Sequence, residues 1–199
     1  VRQHGTEYAH ALEASRAHAQ GTGAILAHSY DNRLVAAGAG TLLCEVAGQL
    51  PGLDTVVVAV GGGGLFAGTA AAADHLGVRT VAAEPANSRA LNAALRAGEV
   101  VDVPVDSVAG DSLGAHRVSA DALAWAQAGD VRSVLADDAA IVAARRLLWH
   151  DHRIVVEHGA ATALAALTSG AYRPVEGEKL CVVLCGANTD PSDLADGAL

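Results

Sequence analysis

A strand-like run of valines that ends in four consecutive glycines constrains this chain more than any other stretch. Thr55-Val56-Val57-Val58-Ala59-Val60 is followed by Gly61, Gly62, Gly63 and Gly64, then by Leu65-Phe66-Ala67-Gly68. The valine run has no polar alternation, so it predicts a strand buried on both faces, as in a parallel sheet. Four glycines in a row cost unfolded-state entropy that a simple tight turn does not require. Free of side chains, their amides can wrap a phosphate, and the start of the next helix adds partial positive charge. An anion-binding turn at Gly61 to Gly64 is therefore predicted, with a plain strand-to-helix turn as the alternative.

The turn alone does not name its anion. Gly62, Gly64 and Ala67 also fit G-x-G-x-x-A, and Glu84 follows Gly64 by 20 residues at the end of the next strand. That is the spacing of a dinucleotide fingerprint, so a Rossmann-like nucleotide site stays open on these residues.

The rest of the chain alternates helix and strand. Helices are predicted over Thr6–Gly21, Leu34–Leu50, Leu65–His75, Ser119–Gln127, Asp137–His150 and Ala160–Thr168. Another is predicted from a cap at Asn87 or Ser88 to Gly98. Strands are predicted at Ala24–Ala27, Thr55–Val60, Arg79–Glu84, Val131–Leu135 and Leu180–Leu184. Glu99 to Gly114 reads as a loop over a site, and the polar tail from Pro191 is expected to add little. The predicted class is α/β, an open, mainly parallel sheet with helices on both faces.

Bulk properties exclude several partners. Net charge is −9, and the arginines form no basic stripe, which argues against nucleic acid and anionic membrane surfaces. No long uncharged run could span a bilayer. Cys44, Cys181 and Cys185 give no paired framework, so a reducing, cytoplasmic setting is expected and zinc is not. His150-Asp151-His152 reads as a solvated helix end whose side chains diverge. The chain has no methionine and one lysine, Lys179.

Four further motifs follow the glycines. They are Ala83-Glu84-Pro85, Asp111-Ser112-Leu113-Gly114-Ala115, Val156-Glu157-His158-Gly159-Ala160-Ala161 and Val182-Val183-Leu184-Cys185-Gly186-Ala187-Asn188. In order and spacing the series resembles the serine/threonine dehydratases (threonine ammonia-lyases) of the fold-type II pyridoxal-phosphate enzymes, over almost the whole chain. The resemblance implies that Gly61, Gly62, Gly63, Gly64 and Leu65 hold the phosphate of pyridoxal 5'-phosphate. It implies that Cys185 faces the pyridine nitrogen, and that Glu157, Ser112 and Asn188 lie near the ring. A plain reading of Cys185 as a buried small apolar residue stands beside this. Glu157 can equally be a helix N-terminal charge, and Ser112 a solvated loop residue. In some relatives a glutamate at the place of Glu84 binds a divalent cation. Ala90 stands where its partner carboxylate would be, so no metal is expected there.

The same resemblance places the Schiff-base lysine far upstream of the glycines, where this chain has none, and Lys179 sits at the entry end of the last strand. Residues 1–33 are accordingly expected to be the end of a smaller domain, and 34–199 an incomplete cofactor-binding larger domain. The implied activity is elimination from L-threonine or L-serine to a 2-oxo acid and ammonia, by a homo-oligomer when full length. As given, the chain is expected to be inactive. A nucleotide-binding module and a non-catalytic phosphate-binding relic are the alternatives. Gly63→Val is expected to weaken the cofactor more than the fold.

Overall fold

The computed structural model describes residues 1–5 and 8–195. Its elements run α1 (Tyr8–Thr22), α2 (Arg33–Gln49), β1 (Thr55–Ala59), α3 (Gly64–Leu76), β2 (Arg79–Pro85), α4 (Ala90–Ala97) and α5 (Gly110–Leu113). They continue with α6 (Ala120–Ala128), β3 (Val131–Ala136), α7 (Asp138–His152), α8 (His158–Thr168), β4 (Leu180–Val182) and α9 (Ser192–Ala195). The four strands form one parallel sheet in the order β3-β2-β1-β4.

Alternate residues of the central strands feed two cores. Val56, Val58 and Val60 pack with Leu43 of α2, Phe66 of α3, Leu91 of α4 and Leu123 of α6. Val57, Ala59, Val81 and Ala83 pack with Ala163 and Ala166 of α8 on the opposite face. This is why the valine run lacks alternation: both faces of β1 are covered. Helices α3, α4 and α6, between β1 and β3, pack on one face of the sheet, and α8, on the way to β4, packs on the other. Among the described residues no helix is long and apolar enough to cross a membrane.

Several boundaries differ from the sequence expectation. The start of the first predicted helix, Thr6, lies outside the described residues. That helix passes Gly21 and stops at Gly23, whose φ is 74°. Ala24–Ala27 is not a strand: Ile25 is 98 % exposed, and no described strand lies beside it. Neither Asn87 nor Ser88 caps α4; Arg89 holds that place, and Ser88 Oγ donates to the Leu113 carbonyl at 3.0 Å. β4 is half-buried rather than buried, because among the described strands it pairs only with β1. The tail is not idle either. Leu194 is buried, and Asp193 pairs with a buried arginine, Arg145, at 2.5 Å.

Candidate functional site

The sheet places β1 between β2 and β4, so the chain leaves β1 toward one side and comes back on the other. Ligands of open parallel sheets bind beyond the carboxyl ends of the strands at such a reversal. Here that crevice is flanked by Gly61–Gly64 after β1 and by the segment 183–188 after β4.

Gly63 caps α3 in the left-handed region, with φ 96° and no side-chain acceptor. The turn is held from behind, by the Ser119 amide donating to the Gly62 carbonyl at 2.9 Å. Among the described residues no protein acceptor meets the amides of Gly61 to Leu65. Such unmet amides at a helix start are what an anion would receive. A close neighbour explains the lack of a side chain at each glycine. A Cβ at Gly61 would stand 3.0 Å from Leu113 Cα, and one at Gly63 2.5 Å from Ala122 Cβ. One at Gly64 would stand 2.8 Å from Tyr30 Cα, and one at Gly62 would run into the Tyr30 ring. Leu65 is half-buried and packs on the core of that face.

Tyr30 was not among the expected site residues. Sequence shows it only within the turn before α2, where Asn32 is the cap, accepting from Leu34 and Val35 amides at 2.9 and 3.3 Å. Its edge-on contact with the His28 ring, at 4.8 Å between centroids, helps define its position over the glycines.

The other wall is built from α5, α8 and the end of β4. Glu157 is the residue before α8, and its amide donates to the Gly186 carbonyl at 3.1 Å. Its carboxylate lies so close over Gly186 that a Cβ there would overlap it. Burial, and then the nearby Asp111 carboxylate, push the Glu157 carboxyl above the usual range, against the pull of the Asn188 amide. Ser112 donates to Asp111 Oδ1 at 3.1 Å, and its hydroxyl would stand 2.5 Å from a Cβ at Gly159. It is thus seated on the first turn of α8, although solvent reaches it. Cys185 is exposed on one side rather than a buried apolar filler. Surrounding protein, and then Glu157, hold its thiol above the usual range, so it carries its proton at neutral pH. Asn188 is exposed beside them. The structure therefore brings Ser112, Glu157, Cys185 and Asn188 to one sheet end. Leu113, which touches both Gly61 and Gly159, links them to the glycine turn.

Glu84 is elsewhere. It is fully buried, and its two oxygens accept from the Leu91 and Asn92 amides at 2.7 and 2.8 Å, capping α4. No carboxylate oxygen is left for a ribose, so the dinucleotide reading loses its acidic residue. Burial raises the Glu84 carboxyl to about 7 in spite of those two bonds. His150 and Asp151 do not diverge; they pair at 2.8 Å on the surface. Lys179 lies at the amino end of β4, donating to the Pro51 carbonyl at 3.0 Å.

A cleft of about 890 Å³ lies between α1, Tyr30 and the loop around Asp102 and Arg117. It meets the crevice at Tyr30, Asp111 and Val118 and includes neither Gly61–Gly64 nor Cys185. Asp102 and Arg117 neutralise each other across 2.6 Å, so the unmet amides mark the chemistry better than this volume does.

Comparison with known proteins shows the family and the fold. The family described as pyridoxal-phosphate dependent enzyme matches residues 1–186. The serine racemase of Oryza sativa subsp. indica is 31% identical over 177 residues, 85% of this chain and 51% of that protein. The biosynthetic L-threonine dehydratase of Salmonella typhimurium is 35% identical over 190 residues, 94% of this chain and 37% of that protein. The structure of maize serine racemase superposes with a TM-score of 0.87 at 28% identity, covering 96% of this chain and 60% of that one. The chain thus spans about half the length, or less, of these curated relatives.

Proposed function

Since the chain belongs to the family of pyridoxal-phosphate-dependent enzymes, we propose that it is the larger-domain portion of an ammonia-lyase converting L-threonine or L-serine to a 2-oxo acid and ammonia. One observation carries the reading. A four-glycine turn with unmet amides, at the start of a 13-residue helix, shares a sheet end with Ser112, Glu157, Cys185 and Asn188. The likeness to a threonine dehydratase over 94% of the chain supports the choice of reaction.

The residues present fit the cofactor. The amides of Gly61 to Leu65 would take its phosphate without any basic side chain. The cofactor, when bound, delocalises the charge left on the substrate α-carbon as its proton departs. Cys185 presents a neutral thiol, which cannot hold a ring nitrogen protonated as a carboxylate can. The sink is therefore a moderate one, suited to prompt loss of a β-hydroxyl. Glu157, raised above the ordinary carboxylate range, can hold a proton beside that site. The Asn188 amide and the Gly186 carbonyl fix its place. Lys179, at the opposite end of the sheet and held by the Pro51 carbonyl, takes no part.

Racemisation is the second reading, favoured by the likeness to serine racemase. Both reactions begin with loss of the α-proton, and only racemisation returns it on the other face. The test is to load the whole protein with pyridoxal phosphate and follow 2-oxo acid and D-serine separately. Threonine- or serine-dependent 2-oxo acid supports the lyase. D-serine without 2-oxo acid replaces it with the racemase, and failure to bind the cofactor removes both.

A further inference from the structure

Arg145 of α7 is 2 % exposed, and no motif points to it. Its guanidinium makes four hydrogen bonds, all to residues flanking the candidate site. Nε donates to the Val156 carbonyl at 2.8 Å, one residue before Glu157. One terminal nitrogen donates to Thr189 Oγ1 at 3.3 Å and the Asp190 carbonyl at 3.1 Å, just past Asn188. The other meets Asp193 at 2.5 Å. The fork therefore joins the two chain segments that lie on either side of the contact between Glu157, Gly186 and the Asn188 amide. We propose that Arg145 is a positioning residue that clamps these two segments and thereby sets the Glu157 carboxylate against Cys185 and Asn188.

The clamp acts through backbone, since Arg145 makes no hydrogen bond to Glu157 itself. A planar fork can satisfy three separate directions at once; a lysine ammonium on a flexible stem cannot reproduce them. The tail segment 189–193 thus becomes part of the site's frame. The assignment of Glu157 and Asn188 to the cofactor rests on the function proposed above. The positioning itself can be read without cofactor, through the Cys185 thiol. That thiol is faced by Glu157, which Asp111 of α5 faces in turn, while Asp111, Asp138 and Arg145 of α7 and Asp193 of α9 surround His158 at the start of α8.

The experiment follows the pH dependence of Cys185 alkylation in the full chain, with peptide mass mapping to separate Cys44 and Cys181. Arg145→Lys keeps the charge and loses the fork. If Glu157 is released, the thiol pKa falls. Cys185 should then react about threefold faster at pH 8. Leu43→Ala, in the core on the other face of the sheet, controls for lost stability and should leave the profile unchanged. If Arg145→Lys does not fold, Asp193→Ala, at an exposed end of the clamp, should give a smaller shift in the same direction. A parental profile in the folded variant, or the same shift in Leu43→Ala, overturns the proposal. A separate pyridoxal phosphate titration of the parent tests the cofactor reading, so the two can fail independently.

Discussion

Two side-chain positions show how much a residue's surroundings change what its sequence suggests. Gly63 invites use as a probe of phosphate binding, with Gly63→Val expected to spare the fold. The structure corrects this. With φ 96° and a Cβ position 2.5 Å from Ala122 and 2.8 Å from Val118, valine would strain the backbone and push α6 away. A loss of at least about 2 kcal/mol of stability is expected. Gly62→Ala is the gentler probe for the backbone, because Gly62 is not in the left-handed region, but its methyl would run into the Tyr30 ring, which must move aside. It should lower pyridoxal phosphate affinity about tenfold or more, with displacement of the ring costing about 1–3 kcal/mol of stability. Absorbance titration beside melting curves decides this; unchanged affinity would detach the turn from the cofactor. Glu84 gives a pH prediction. Its carboxyl is raised from 4.5 to about 7, so the folded state holds the proton more tightly than the unfolded state does. Its contribution is therefore full below about pH 4.5 and is lost as pH rises through about 7, a span on the order of 3 kcal/mol. Glu84→Gln cannot lose a proton and leaves one α4 amide facing a donor. The variant should be clearly less stable than the parent at pH 5, with the gap closing toward pH 8. Parallel urea-unfolding stabilities across that range would show that Glu84 is not the titrating group.

Among the elements, α2 and α3 approach each other closely, and small residues permit it. A Cβ at Gly68 would overlap the Ala36 carbonyl, and one at Gly40 would stand 2.8 Å from the Gly68 carbonyl oxygen. Because α3 begins at the glycine turn, this contact also fixes the direction of the helix start that faces the crevice. Gly68→Ala should force the helices apart, costing about 2 kcal/mol despite the better helix propensity of alanine. A melting temperature equal to the parent's would show that the helices can separate without cost. Elements differ in how far sequence reveals them. The valine run of β1 is legible because both of its faces are buried, and apolar content alone reports that. β4 carries a similar apolar run, yet it is half-buried, since an edge depends on a neighbour its own residues do not show. Ala24–Ala27 has strand-like residues and no partner among the described strands. The motifs at Ser112, Glu157 and Cys185 are legible as short patterns, while Tyr30 and Arg145 are not. Arg145 reads as one more charge in a helix, because its acceptors lie 11 to 48 residues away and only folding assembles them.

At the scale of the whole molecule, the sheet sets its one lysine against its own candidate chemistry. Parallel strands have two unlike ends, and ligands gather at the carboxyl end. The glycine turn and Cys185 occupy that end, whereas Lys179 precedes β4 at the other and is held by the Pro51 carbonyl. No small local motion carries a side chain from one end of a packed sheet to the other. The 199-residue chain alone, given pyridoxal phosphate and L-threonine or L-serine, should therefore produce no 2-oxo acid at an enzymatic rate of about 1 per second or more. The same chain leaves β4 paired on one side only among the described strands, and it exposes Ile25 and Leu34 at 98 % and 83 %. Unpaired strand edges and exposed apolar side chains favour association. Sedimentation of the isolated chain should accordingly show self-association that increases with concentration. A monomeric isolated chain would mean that the β4 edge and the 25–34 segment need no cover. Turnover by the isolated chain would mean that proton transfer at the crevice does not depend on a lysine from elsewhere in the protein.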